Sequence, residues 1–208
     1  GFGTVYLAED RAIGDELILK VLNPYLSADP NMTRRFVQEL KLSRRVSHPN
    51  VIRIHDFMDL EGGHAISMEY CPGTDLARIL ELEGTLPAAR ALPLVAQVLD
   101  GLGAAHEQGI IHRDVKPANC LVGDEDRVKV VDFGLAAAGQ SVGSRLTKSG
   151  ILIGTPEYMA PELITGGEVD HRCDLYAVGV MLYETLSGVK PFIGETAVNI
   201  LFQHLEAD

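Results

Sequence analysis

One stretch of this chain conflicts with simple burial. Residues 112–119 read His112-Arg113-Asp114-Val115-Lys116-Pro117-Ala118-Asn119. They lie between an apolar helical pattern and an apolar strand pattern that starts near Cys120. A chain that folds here must bring charge to the edge of its core. Each such group then needs a partner, because unpaired burial costs roughly several kcal/mol. The next apolar strand, Val128–Val131, ends in Asp132-Phe133-Gly134. Asp114, Asn119 and Asp132 are hard oxygen ligands or proton acceptors, suited to magnesium and phosphate rather than zinc. For any one of them alone, a turn or helix-cap role is the plainer reading.

Composition narrows the classes. The chain has 208 residues, 46% hydrophobic and 23% charged, enough apolar material for a real core and too much for a disordered chain. Lys plus Arg is 18 and Asp plus Glu is 29, so the net charge is −11. That balance disfavours a nucleic-acid or anionic-membrane surface. No apolar run reaches the ~18 residues that a membrane helix requires. No signal-peptide pattern is visible. Cys71, Cys120 and Cys173 are too few and too scattered for a disulfide framework or a zinc site. They read as reduced, apolar thiols.

The first part of the chain alternates strands and turns. Strand patterns cover 2–8 and Leu17–Leu22, joined by a turn at Gly14-Asp15. Asp29-Pro30 opens a helix expected to run to about Val46. Strands follow at Val51–Met58 and His64–Tyr70, then a short helix at Asp75–Leu82. From Pro87 to Gln108, Leu92, Val95, Ala96, Leu99, Leu102 and His106 form a helical stripe closed by Gly109. Short strands at Cys120–Val122 and Val128–Val131 precede a long Gly/Ser/Thr-rich loop. Helices are expected at Asp174–Leu186 and Glu195–Leu205.

Two more charges stand in apolar settings. Lys20 shares a strand face with Ile18 and Leu22. Its plain reading is an amine snorkelling from an edge strand, and its sharper one is a cation held for an anion. Glu39 lies beside the helical face of Phe36, Leu40 and Ser43, and is the natural partner for Lys20.

Taken in order, these residues resemble the eukaryotic-type protein kinases, in the form common among bacterial Ser/Thr kinases. Gly1-Phe2-Gly3-Thr4-Val5 is similar to the end of the Gly-rich loop, and Leu17-Ile18-Leu19-Lys20 to the strand that carries the ATP lysine. Glu39 takes the place of the αC glutamate. His112-Arg113-Asp114…Asn119, Asp132-Phe133-Gly134 and Ala160-Pro161-Glu162 match the catalytic loop, the metal-binding tripeptide and the Ala-Pro-Glu motif. Asp174 matches the family's aspartate at the start of a large helix. The resemblance covers essentially the whole chain. It implies an α+β, bilobal fold with a small antiparallel-sheet N-lobe over 1–70, a hinge at 71–74 and a mainly helical C-lobe over 75–208.

The resemblance also implies roles. Lys20, oriented by Glu39, holds the ATP phosphates, with Gly1, Phe2 and Gly3 above them. Asp132 and Asn119 ligate Mg²⁺, or Mn²⁺ in its place. Asp114 accepts the substrate proton, Lys116 neutralises the γ-phosphate, and Thr155 hydrogen-bonds both. Val5, Ile18 and Leu121 contact adenine, Glu69 and Cys71 bond it through their backbones, Met68 is the gatekeeper, and Asp75 meets the ribose. Arg113, Glu162 and Asp174 are structural. Thr147 and Ser149 align with a doubly phosphorylated loop site of bacterial relatives, and ordinary solvated loop hydroxyls are an equally weighted reading of them. The implied partners are protein substrates with Ser or Thr, and a second copy for autophosphorylation. No nucleic acid or membrane segment is implied in this piece. The implied location is cytoplasmic, although many relatives carry a membrane span or sensor domain beyond this region.

Three departures from the family pattern stand out. The chain starts inside the Gly-rich loop, lacking the first strand. It stops before the last helices, and no Arg follows residue 172 to pair with Glu162. Ile18 replaces the usual Ala above the adenine. These departures keep a second reading open, a catalytically weak pseudokinase or scaffold. A third, a small-molecule kinase of the aminoglycoside phosphotransferase type, shares the Asp…Asn…Asp logic. It usually lacks a stretch like Gly154–Glu162.

Overall fold

The computed structural model describes residues 3–23, 30–61, 63–133 and 155–206. Gly1, Phe2, Gly134, Thr147 and Ser149 lie outside these residues, as does the side chain of Glu39.

Alternating apolar residues build the first sheet. β1 (Gly3–Glu9) and β2 (Glu16–Leu22) pair antiparallel from Gly3 opposite Leu22 to Glu9 opposite Glu16. Their turn closes where Gly14, at φ 76°, donates its N–H to Asp10 O at 2.7 Å. β3 (Ile54–Leu60) and β4 (Gly63–Glu69) complete an antiparallel sheet of order β1-β2-β4-β3. Helix α1 (Pro30–Ser43) lays Leu40 on it, in a buried cluster with Leu22, Ile52, Ile66 and Met68. This is the antiparallel-sheet lobe that the resemblance implies.

The second part is helical around a larger core. Asp75 caps helix α2 (Leu76–Glu83) by accepting the N–H of Arg78 at 2.9 Å. Helix α3 (Ala88–His106) continues through Pro93 and packs against helix α5 (Arg172–Ser187). Leu94, Val98, Leu102, Val180 and Met181 fill the space between them. A small sheet of β5 (Thr74–Asp75), β6 (Cys120–Val122) and β7 (Val128–Val130) lies beside them. Short helix α4 (Pro161–Thr165) and helix α6 (Ala197–Glu206) finish the described chain. Among the described residues, no helix is long and apolar enough to cross a membrane. The three cysteines are free, and burial pushes the Cys120 and Cys173 thiols up to about 12.

Three local expectations change. The helix predicted to reach Val46 ends at Ser43, and its last turn tightens as Val46 N–H donates to Ser43 O at 3.1 Å. The strand predicted from Val51 begins only at Ile54. Residues 50–52 are taken up by β7 instead: Val130 N–H donates to Asn50 O at 2.8 Å, and Ile52 N–H to Val130 O at 2.9 Å. The long-helix stripe is also rotated. Leu92 and Leu99 face solvent, and the buried face is Ala91, Leu94, Val95, Val98, Gly101, Leu102 and Ala105. The helix is apolar nearly all round, so hydrophobicity alone did not select the face. Close approach of a neighbouring segment marks the buried face at one position.

That position is Gly101. A Cβ there would sit 2.7 Å from Asn50 O, whereas a Cβ on Gly103 would meet nothing within 4 Å. Gly101→Ala is therefore expected to destabilise by about 1–3 kcal/mol through forced backbone displacement. Gly103→Ala in the same helix is expected to stabilise by about 0.5–1 kcal/mol. Thermal melting of the two variants side by side checks the opposite signs.

Candidate active site

The site is assembled on one buried carboxylate. Asp174, 1% exposed near the start of α5, accepts His112 N–H at 2.9 Å and Arg113 N–H at 2.8 Å. His106, at the end of α3, donates Nε2–H to it at 2.7 Å. Burial alone would push the Asp174 carboxyl up. The bonds from His106 and from the two backbone N–H groups outweigh it and hold the group below its usual value.

Arg113 takes φ 65°, a left-handed conformation costly for a residue with a Cβ. The two bonds to Asp174 hold the chain at that point. His112, fully buried, continues the network. Its Nε2 lies 2.8 Å from Val131 O, and its Nδ1 lies 3.2 Å from Asp114 N. A carbonyl only accepts and an amide only donates, so the ring is neutral with its proton on Nε2. His112 thus connects Asp114 to the segment leading to Asp132. Phe133 packs on its ring at 4.7 Å.

Asp114 is surrounded by donors. Lys116 Nζ donates to its Oδ2 at 2.7 Å, and also to Thr155 Oγ1 at 2.7 Å. Asn119 Nδ2 donates to Asp114 O at 2.8 Å, with a longer approach of 3.3 Å to Oδ2. The Thr155 hydroxyl reaches Oδ1 only at 3.5 Å. Oδ1 is therefore the less committed oxygen. Asn119 is placed by the tight turn Pro117–Asn119, and Thr155 by the turn Pro156–Tyr158. Tyr158 hydrogen-bonds Glu184 of α5, and Lys190 pairs with Glu157 at 3.0 Å. These two bonds tie the Thr155 loop to the helical core.

On the opposite wall, Lys20 is 5% exposed. Its Nζ donates to Asp132 Oδ1 at 2.7 Å, across the two lobes. Asp132 also takes a left-handed conformation, φ 67°. The Lys20–Glu39 pairing rests on a side chain outside the described residues, and the partner the structure gives Lys20 is Asp132. In the sheet register Val5 lies opposite Lys20, and Ile18 opposite Met68. Val5, Ile18, Lys20 and Met68 therefore share one face. Leu121 lies on β6 of the other lobe. Asp75 spends one carboxylate oxygen on its helix cap. Glu162 begins α4, and its carbonyl accepts Gly167 N–H at 3.0 Å.

Comparison with known proteins names the arrangement. A family profile described as "Protein kinase domain" matches residues 1–207. The chain belongs to the protein kinase domain family. Across 99% of its length it is 43% identical to the serine/threonine-protein kinase pkn3 of Myxococcus xanthus. It is 42% identical to pkn2 of the same organism and 37% identical to the serine/threonine-protein kinase PknB of Mycolicibacterium smegmatis, each over its whole length. It covers 39%, 25% and 34% of those three proteins, a quarter to two-fifths of their length.

Kinases as a family use ATP with a divalent metal, and the donors present fit that use. Mg²⁺ takes one or two carboxylates and completes its shell with phosphates and water. Asp132 supplies a carboxylate. The Asn119 amide, turned by its nitrogen toward Asp114, leaves its oxygen on the other side. Among the described residues no group of three or more His, Cys, Asp or Glu could hold a metal.

Sequence reasoning missed two features. It placed His106 in the stripe of the long helix without a partner, whereas it bonds Asp174. It also passed over Lys129, which bonds Glu69 at 2.8 Å. The signal was a charged residue within Val128-Lys129-Val130, the same anomaly that flagged Lys20.

Asp174→Asn keeps the shape but puts an amide NH₂ where an acceptor is required. It is expected to cost about 2–4 kcal/mol at pH 7. The depressed carboxyl contributes stability above its unfolded value near pH 4, and loses it as pH falls through the lower folded value. The gap between wild type and variant should therefore close in acid. Unfolding curves at neutral and acid pH check both parts.

Proposed function

We propose that the chain transfers the γ-phosphate of ATP to Ser or Thr hydroxyls of proteins. The observation that carries this reading is the constellation at Asp114. Its carboxylate is gripped on Oδ2 by Lys116 and left open on Oδ1, beside the hydroxyl of Thr155. A substrate hydroxyl placed against Oδ1 would be oriented toward the phosphate and give its proton to Asp114. The new O–P bond forms as the bond to ADP breaks, and the proton leaves on the carboxylate. Lys116, already within reach of Asp114 and Thr155, would offset charge on the transferred group. Lys20 would hold the other phosphates, and Asp132 and Asn119 would hold Mg²⁺. The metal, when bound, supplies charge neutralisation across the phosphates.

The face of Val5, Ile18 and Met68, opposed by Leu121, would enclose the adenine, with the backbone at Glu69 and Cys71 as its hydrogen-bonding edge. Ile18 narrows that slot relative to the usual Ala. The intact set Lys20, Asp114, Asn119 and Asp132 favours transfer over a scaffold role. The Thr155–Glu162 stretch favours a protein over a small-molecule substrate.

Asp114→Asn is expected to lower phosphate transfer at least about a hundredfold while ATP affinity stays within about twofold. Transfer from labelled ATP to a basic protein, beside direct nucleotide binding, measures the two separately. Unchanged transfer would remove Asp114 from its role.

The reading includes loop autophosphorylation. Thr147 and Ser149 are the proposed acceptors, and each phosphate would add about −1.5 to −2 charge within reach of a cation such as Arg113. A transient pair of copies would present one loop to the other's site. Phosphopeptide mapping after incubation with ATP should find phosphate at one or both residues and none after Asp114→Asn. A blank at both in the active wild type sinks the idea.

A further inference from the structure

The carboxylate of Glu69, at the end of β4, joins three segments. Its Oε1 accepts the Arg53 N–H at 2.7 Å, from the stretch that leads into β3. The same oxygen accepts Lys129 Nζ at 2.8 Å, from β7 in the helical lobe. The side chains of the pair are 26% and 24% exposed, so solvent screens it less than a surface bridge.

Packing does not wedge Glu69 in place. A cavity of about 250 Å³ opens beside the pair, lined by Val46, His48, Pro49, Arg53, Glu69 and Lys129. The side chain has room to swing away. Its orientation therefore rests on the Lys129 charge and one backbone N–H.

Lys129 sits directly opposite Leu121 in the β6–β7 register, and three residues before Asp132. The bridge thus links the end of β4, where the hydrogen-bonding edge proposed for adenine begins, to the strand paired with the one that carries Leu121. These are the edge and one wall assigned above to adenine, so the inference rests on the kinase reading of the site.

We infer that Lys129 is a positioning residue for nucleotide binding: its bond to Glu69 sets the spacing between the hinge and β6 and so the fit of the adenine slot. It touches neither nucleotide nor the reacting atoms. Its effect falls on ATP binding rather than on transfer once ATP is bound.

The test is a kinetic split with direct binding. Lys129→Met should raise both the Kd and the KM for ATP about three- to tenfold, with kcat within about twofold. Lys129→Arg should restore most of the affinity, since it returns a cation to Glu69. Glu69→Gln should weaken ATP in the same direction, and the double variant should be no worse than Lys129→Met alone. If Lys129→Met fails to fold, the Glu69→Gln and Lys129→Arg arms still decide. Unchanged Kd in Lys129→Met and Glu69→Gln overturns this inference and leaves the kinase reading intact. So does a fall in kcat with KM unchanged. A wild type that binds no ATP overturns the kinase reading and this inference with it.

Discussion

A single buried charge organises the chemistry of this chain. Asp174 is removed from water, which would be prohibitive without compensation. Three N–H donors supply it, from His106, His112 and Arg113. Two of these are backbone groups in the polar run, so the charge determines where the chain passes at 112–113. It also holds Arg113 in a left-handed conformation that its side chain disfavours. His112 carries the constraint onward, to Asp114 on one ring nitrogen and to Val131 on the other. Asp114 and Asp132 come from segments 18 residues apart in sequence, and both are referred to the same buried histidine.

The sheet lobe and the helical lobe meet through β7 and its continuation. Asn50 and Ile52 bond the backbone of Val130, and the Asn50 side chain donates to Val128 O at 2.8 Å. Gln97 of α3 binds the same corner, accepting Val128 N–H at 2.9 Å. Glu69 reaches Lys129, and Lys20 reaches Asp132 just past the strand. A strand of three residues and its continuation thus take bonds from the loop after α1, the end of β4 and β2. This explains why residues 50–52 leave the first sheet. Their backbone groups tie the two lobes together instead of extending β3.

Much of this was legible in the sequence for a physical reason. Charges placed in apolar patterns must be explained by partners, so Lys20, Asp114, Asn119 and Asp132 were conspicuous, and the structure bonds Lys20 to Asp132 and Asn119 to Asp114. Strands and helices with clear periods appeared within a few residues of their expected ends. Features set by tertiary contact were not legible. The rotation of α3 depends on the approach of Asn50 to Gly101, which no periodicity encodes. The early end of β3 depends on a competing strand from the other lobe. The bond from Lys20 to Asp132, a residue 112 positions away, was likewise not legible; Glu39, read as a partner of Lys20 from helical spacing, has its side chain outside the described residues.

The charge arithmetic of the site completes the picture. The chain carries a net charge of −11, yet the proposed ligand is a polyanion. The two lysines proposed to meet it are each already paired, Lys20 with Asp132 and Lys116 with Asp114. Cations held this way stay in position, and each pair leaves no net charge. A phosphate that takes a share of Lys20 leaves Asp132 short of a counter-charge in a place only 30% exposed at that side chain. A divalent cation beside Asp132 and Asn119 would restore the balance, and phosphate oxygens would complete its shell. On the proposed reading nucleotide and metal would thereby be coupled by electrostatics: each would make the other's binding less costly.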